Sequence, residues 1–350
     1  MATRLSVFFH GLPDFEIFFP LAVRLRRRGR VVPVCFASSE VLRREPRLRD
    51  LIAKSGLPVT VRPNRLLKAL PKHYLRRADA SLCLADPLNQ AGSTGRRNQA
   101  ILALEHPTIF LQHGVVQIRV NYPPDGDPVP YYSGCVLTFE PLSEQSIVAR
   151  ADWPKVHPVG FPKNQLFAAR PPQGDLPPHD RAILLCHSFR WSEQFGQGDV
   201  DRFFALVADY AARHPRDLLI VRGHRGKVRD SYKRQTIAAA ALPNVLISDA
   251  YRGPLRGMSI GDVLALSDLC ISTVSTAVLD SIYAGVPTAT YFNDGPFFRD
   301  LPDVTDLETM DRFANVTTMA DMAPILARYG QVDSNIDRAC DAIEAHMAAL

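Results

Sequence analysis

The sequence predicts an α/β protein of two domains, each built on a mainly parallel sheet. Short apolar, β-branched runs alternate with helical patterns along the whole chain, the order produced by crossover connections between parallel strands. At 350 residues the chain exceeds one typical core and suits two domains of about 150 residues each. A proline-rich break, Arg170-Pro171-Pro172-Gln173-Gly174-Asp175-Leu176-Pro177-Pro178, lies near the midpoint with the composition of an interdomain linker. The expected boundaries are 1-168, 180-330 and a final helix over 331-350, with a cleft between the two sheets, where sites commonly form.

The first half offers strand candidates at Leu5–Phe9, Val31–Cys35, Val59–Val61, Ala80–Leu84, Thr108–Leu111, Cys135–Phe139 and Val156–Val159. Phe15 to Arg28 has the 3.6-residue pattern of a helix that Gly29 stops. After the proline-rich break come strand Ala182–Cys186, helix Asp199–Arg213, strand Asp217–Val221, a helix near Ser231–Ala241 and strand Asn244–Ile247. Then follow a short apolar strand, Leu269–Ser272, and a hydroxyl-rich turn, Ser272-Thr273-Val274-Ser275-Thr276. A helix opens at that turn and ends at Gly285-Val286-Pro287, and a buried strand, Thr288–Phe292, comes next. Residues from Leu307 onward read as helical.

Hydrophobic content of 46% and charge of 22% are ordinary for a soluble globular protein. No apolar run approaches the roughly 20 residues that span a bilayer, and the first residues lack the pattern of a signal peptide. The six cysteines contain no CxxC pair, and most sit in apolar runs, which indicates buried free thiols rather than disulfides or zinc ligands. A cytoplasmic protein is expected. The net charge of +5 is concentrated early, in Arg24–Arg30, Arg43–Arg49 and Arg62–Arg77. Those runs read as solvated helix faces, or as a basic surface for peripheral contact with an anionic membrane at the inner face. Nucleic acid is not an expected partner, since no aromatic-interleaved basic stripe accompanies the charge.

Polar clusters follow several strand candidates. His10-Gly11 follows the first, and His113-Gly114 follows Thr108–Leu111. His187, Ser188 and Arg190 follow Ala182–Cys186; Arg222, His224, Arg225 and Lys227 follow Asp217–Val221. In parallel α/β sheets ligands bind beyond the carboxyl ends of the strands. A helix N-terminus with nearby hydroxyls suits an anion, because first-turn N–H groups are unpaired and the macrodipole is positive there; Ser275 serves equally as a plain helix cap. Arginine, lysine and histidine add charge-assisted donors, and together the second-domain set fits the diphosphate of a nucleotide-activated donor. No cofactor is called for, and no metal, since basic residues can neutralise the diphosphate. The absence of GxxxxGK[ST], and of GxGxxG after the first strand, disfavours P-loop ATPases and dinucleotide oxidoreductases. A Ser-His-Asp hydrolase, which would want a GxSxG elbow, is also set aside. In the first domain, His113 is the preferred general base for an acceptor hydroxyl and His10 the second choice. Asp14 and Glu16 could orient His10 or act on the acceptor side, although carboxylates are also favoured in a first helical turn.

The order of these pieces resembles the CDP-glycerol glycerophosphotransferase family of teichoic-acid and capsular polymer synthesis. The matching segments are Gln112-His113-Gly114, Gly160-Phe161-Pro162-Lys163-Asn164-Gln165-Leu166, ILLCHSFR (Ile183 to Arg190), LLIVRGHR (Leu218 to Arg225), SDLCISTVSTAVLD (Ser267 to Asp280) and Gly285-Val286-Pro287. The resemblance implies a GT-B scaffold, His113 as catalytic base, and donor phosphates held by His224, Ser275, Thr276 and Arg190, with Arg225 beside them. The chain departs from the pattern where Arg225 follows the histidine, where Thr273 and Val274 precede the hydroxyl pair, and at Val115-Val116. It is also similar in plan to bacterial capsule sialyl- and Kdo-transferases that use CMP. The expected activity is therefore a transferase moving a glycerol-phosphate or sugar unit from a CDP- or CMP-linked donor to an oligosaccharide or lipid-linked acceptor. UDP-sugar transferases, a nucleotide-sugar epimerase and a non-catalytic GT-B-like subunit are the alternatives.

Overall fold

The computed structural model describes residues 2–89, 94–117, 120, 128–143, 146–189 and 195–350. The chain divides into two units, one comprising Met1–Phe167 with Arg328–Leu350 and the other Ala168–Ala327.

The first unit carries strands β1 (Thr3–Phe9), β2 (Val31–Ser38), β3 (Val59–Arg62), β4 (Ala80–Cys83), β5 (Thr108–Leu111), β6 (Cys135–Thr138) and β7 (Val156–Pro158). They pair in the order β3-β2-β1-β4-β5-β6-β7, all parallel. The central strands are apolar on both faces, as strands covered by helices on two sides must be. One face packs Leu5, Val7 and Phe9 with the helix Leu12–Arg28. The other packs Phe8 and Phe36 with Leu67, Tyr74, Leu75 and Ile101 from helices Asn64–Ala69, Pro71–Leu75 and Gly95–Ala103.

The helix Leu12–Arg28 starts where the Asp14 carboxylate accepts from the N–H groups of His10 and Gly11, both at 2.7 Å. It ends at Gly29, whose φ of 75° is the left-handed conformation that glycine takes without strain. The helix Val332–Ala348 closes this unit, burying Ile336, Ala339, Cys340, Ile343 and Met347 in the same core. Its carboxylates meet the first helix: Arg24 Nη1 lies 2.6 Å from Asp337, and Arg28 pairs with both Asp337 and Asp341 at 2.6 Å. Arg30 reaches Glu344 of the same helix at 3.6 Å, so three cations of the run RLRRRGR serve internal docking, while Arg26 and Arg27 stay exposed.

The second unit carries β8 (Arg181–His187), β9 (Asp217–Gly223), β10 (Val245–Ile247), β11 (Leu269–Ser272), β12 (Thr288–Tyr291) and β13 (Asp303–Val304). The order β10-β9-β8-β11-β12-β13, again parallel, repeats the first six strands of the other sheet. Both units are therefore Rossmann-like, and each reverses strand order once, between β1 and β4 and between β8 and β11. The proline-rich segment is tied to the second unit. Arg170 bonds and ion-pairs with Asp262, and the Gln173 N–H donates to the Pro254 carbonyl at 2.8 Å. All six cysteines are buried free thiols. Among the described residues no helix is long and apolar enough to cross a membrane.

Candidate functional site

In the second unit the point of strand reversal is also where the polar residues gather. Ser188 follows β8, and Thr273 follows β11. The Ser188 N–H donates to Thr273 Oγ1 at 3.1 Å, and the two hydroxyls lie 3.0 Å apart. Thr273 is fully buried, and its own N–H donates to the Cys186 carbonyl. These bonds join the two carboxyl ends across the reversal, which is where open α/β sheets take ligands.

From that junction the chain enters the helix Thr276–Tyr283. Ser275 is its N-cap, in extended backbone, with Oγ accepting from the Ala277 N–H at 3.2 Å and 3.2 Å from Ser272 Oγ. Ser275 thus performs the capping role, and both it and Thr276 stay half-buried at the edge, beside the positive end of the helix.

One strand to the other side, β9 runs into Gly223 and a tight turn. Arg225 takes φ 59° and Gly226 φ 60°, a left-handed pair that only the second residue adopts freely. The turn leaves His224 half-buried and Arg225 exposed. Because His187 is in register with Gly223, and Ser272 with Cys186, His224 and Ser275 stand at the same edge about two strand spacings apart, ~10 Å. Arg222 is used internally, with Nη1 donating to Ser248 Oγ at 2.5 Å and Nη2 to the Met258 carbonyl. Arg190 lies outside the described residues.

His187, which the sequence reading grouped with these cations, is of another kind. It is 4% exposed and caged by Phe189, Phe203, Phe204 and Tyr232, with ring centroids 4.6–5.9 Å away. Burial pushes its pKa down to about 3, so it is a neutral imidazole at pH 7 and supplies no charge to an anion.

In the first unit His113 follows β5, half-buried. Its loop is held at both ends: Gln117 Oε1 accepts from the N–H groups of His113 and Gly114, and Gln112 bridges the Gly114 carbonyl to the Phe139 N–H. His10 follows β1, where burial chiefly, with the nearby charge of Arg97, lowers its pKa to about 4. Asp14 forms the helix start described above. Glu16 is 8% exposed and ion-paired to Lys163 Nζ at 3.2 Å, so Lys163 of the segment GFPKNQL holds the first helix.

One pattern was passed over when hydrolases were set aside. Gly257-Met258-Ser259-Ile260-Gly261 is a G-x-S-x-G match. It does not follow a strand; Ser259 caps the helix Ile260–Leu264 by accepting from the Asp262 N–H at 3.1 Å. It therefore lacks the strand-to-helix elbow that presents a nucleophile. Thr273, noted in the sequence only as a departure from a motif, is the residue that joins the two strand ends. Its signal, a hydroxyl one position after a strand, is too common to single it out.

No family model and no curated protein matches the chain. Solved structures do resemble it across its length. One assigned as a UDP-N-acetylglucosamine 2-epimerase, from Listeria monocytogenes, has a TM-score of 0.64 at 14% identity, covering 100% of this chain and 98% of that one. The UDP-GlcNAc 2-epimerase of Neisseria meningitidis, bound to UDP-GlcNAc, has a TM-score of 0.58 at 10% identity, covering 99% and 100%. The wall teichoic acid polymerase TagF with CDPG has a TM-score of 0.52 at 11% identity, covering 99% and 88%. With two parallel-sheet Rossmann-like domains, these likenesses establish the GT-B fold.

Proposed function

We propose that the protein is an enzyme of cell-surface polymer biosynthesis that takes a nucleotide-activated sugar or polyol donor in its second unit and transfers that group to an acceptor hydroxyl. The observation that carries this reading is the Ser188–Thr273 junction at the strand reversal. It sets a hydroxyl-bearing helix start and the cationic β9 turn on one edge. Such an edge suits a diphosphate: Ser275 and Thr276 at the helix start and His224 and Arg225 on the flanking turn, with Arg190, which follows β8 in sequence, proposed as a further donor. Donors fixed beforehand act most strongly on the negative charge that grows on the departing phosphate. In transfer, the acceptor oxygen forms its new bond as the bond to that phosphate breaks, and His113 takes the hydroxyl proton. A cytidine nucleotide is the proposed leaving group, following the motif order and the likeness to TagF. The basic first unit is proposed to rest on anionic lipid at the inner face of the membrane.

A second reading is favoured by one comparison. The 2-epimerases match nearly end to end in both chains, whereas 88% of TagF is covered. The two readings separate in one experiment. Thermal unfolding is followed with CMP, CDP, UDP and GDP, and UDP-GlcNAc is incubated with the protein without any acceptor. Transfer from a cytidine donor expects stabilisation by CMP or CDP and an unchanged sugar. Stabilisation by UDP with appearance of the C2 epimer replaces transfer by epimerisation, and no response to any nucleotide removes both.

A further inference from the structure

Arg97 is the third residue of the helix Gly95–Ala103, yet its side chain is only 9% exposed. Its guanidinium lies over the Phe8 ring, 5.3 Å from the centroid. Its Nε is buried with no hydrogen-bond partner, and among the described residues Arg97 makes no ion pair. A guanidinium taken from water without an anion is costly, so buried arginines are normally paired.

The carboxylates on neighbouring segments are engaged elsewhere. Asp14 accepts from the N–H groups of His10 and Gly11. Glu40 accepts from Ser38 Oγ and Ser39 Oγ and from the Asn64 N–H. Asp86 accepts from the Leu88, Tyr132 and Ser133 N–H groups and from Ser133 Oγ. None is left over for Arg97.

Donors and cations also gather beside Arg97. His10 stacks on the same Phe8 ring, with centroids 6.1 Å apart, and its Nδ1 is 3.0 Å from Asn64 Oδ1. Lys68 stands one helical turn beyond Asn64 and, like Arg97, acts electrostatically on the His10 imidazole. Three elements thus bring two cations, an amide and a histidine to one place beyond the ends of β1 and β2.

We propose that Arg97, Lys68, Asn64 and His10 form an oxyanion subsite in the first unit that takes the phosphate group of a phosphorylated ligand. Two cations match a phosphate dianion better than a carboxylate, and a guanidinium fork placed over an aromatic ring suits paired phosphate oxygens. A bound dianion would also favour a protonated, donating His10, which burial first, then Arg97 and Lys68, now oppose. The subsite does not depend on the nucleotide reading of the second unit.

The test uses the full chain at constant ionic strength. Thermal unfolding is measured with inorganic phosphate, glycerol 3-phosphate, dimethyl phosphate and acetate. Inorganic phosphate and glycerol 3-phosphate should each raise Tm by roughly 5–10 °C at a hundredfold excess over Kd, with little effect of dimethyl phosphate or acetate. Arg97→Gln and, separately, Lys68→Gln should abolish most of that rise. Ser275→Ala with Thr276→Ala should keep it, so loss of the second-unit reading would not be confused with loss of this one. The His10 imidazole, followed by NMR, should move its pKa up by a unit or more when phosphate binds. That readout stays decisive if Arg97→Gln does not fold. An equal Tm rise in wild type and Lys68→Gln, an equal response to acetate, or a His10 titration that phosphate leaves unmoved would overturn the proposal.

Discussion

Thr273 has no freedom to change. Its hydroxyl accepts from a buried N–H and meets a buried Ser188 hydroxyl, so Thr273→Val keeps the shape and removes the partner of both. A buried donor left unsatisfied costs about 1–3 kcal/mol. That loss should appear in chemical denaturation, with Thr273→Ser restoring most of it. His187 makes a prediction about acid. Its folded pKa of about 3 lies below the ordinary 6.5, so below pH 6.5 the unfolded chain binds a proton that the folded chain refuses. Stability from this group is therefore complete above pH 6.5 and lost as pH falls toward 3, and His10, at about 4, acts in the same direction. His187→Phe should flatten the decline between pH 6.5 and 4 by about 1–3 kcal/mol; an unchanged acid profile would show that the cage admits a proton. Neither behaviour could be read from the sequence. A histidine after a strand looks the same whether it faces solvent or four aromatic rings, and Arg97, in the run Gly95-Arg96-Arg97-Asn98, belongs to no motif at all.

Among the elements, the strands were the most legible, because buried parallel strands are written as continuous β-branched and apolar runs. Thr108–Leu111 and Leu269–Ser272 match the expected bounds to the residue. The short helices Ser39–Arg44, Asn64–Ala69 and Pro71–Leu75 went unseen, as two turns or fewer cannot display a 3.6-residue period. β13, two residues long, carries no pattern. Segment meaning was harder still. Gly160-Phe161-Pro162, noted for its likeness to a transferase motif, works as an anchor. Gly160 has φ 81°, and a Cβ there would overlap Asn335 Oδ1 and the Tyr329 carbonyl. Asn335 Nδ2 in turn donates to the Phe161 carbonyl at 2.9 Å. Gly160→Ala should therefore cost more than about 2 kcal/mol. Hydrogen exchange should localise the loss to Val332–Ala348 and the first helix; protection unchanged there would refute the anchor.

For the molecule as a whole, alternation of strand and helix was enough to foretell two parallel sheets, and the likeness of the solved structures confirms the GT-B scaffold. The chemistry was less accessible, since a base or sugar is chosen by the shape of a pocket made from distant loops. The activity proposed above makes a divided prediction. His113→Ala should lower turnover about 10²–10⁴-fold while nucleotides stabilise the protein as before. Ser275→Ala with Thr276→Ala should weaken that stabilisation, by roughly thirtyfold in Kd if each of the two lost hydrogen bonds contributes about 1 kcal/mol. Turnover unaffected by the first change, or affinity unaffected by the second, would detach that residue from its role.

The first unit joins two stretches far apart in sequence, Met1–Phe167 and Arg328–Leu350, whereas the second is one unbroken stretch. During synthesis the unbroken stretch can therefore close on itself early, while Met1–Phe167 must wait, with the core around Leu21 and Leu25 incomplete, until Ile336 and Cys340 emerge to join it. Order of birth and order of maturation are reversed in this protein, and chaperone demand should fall on the part translated first.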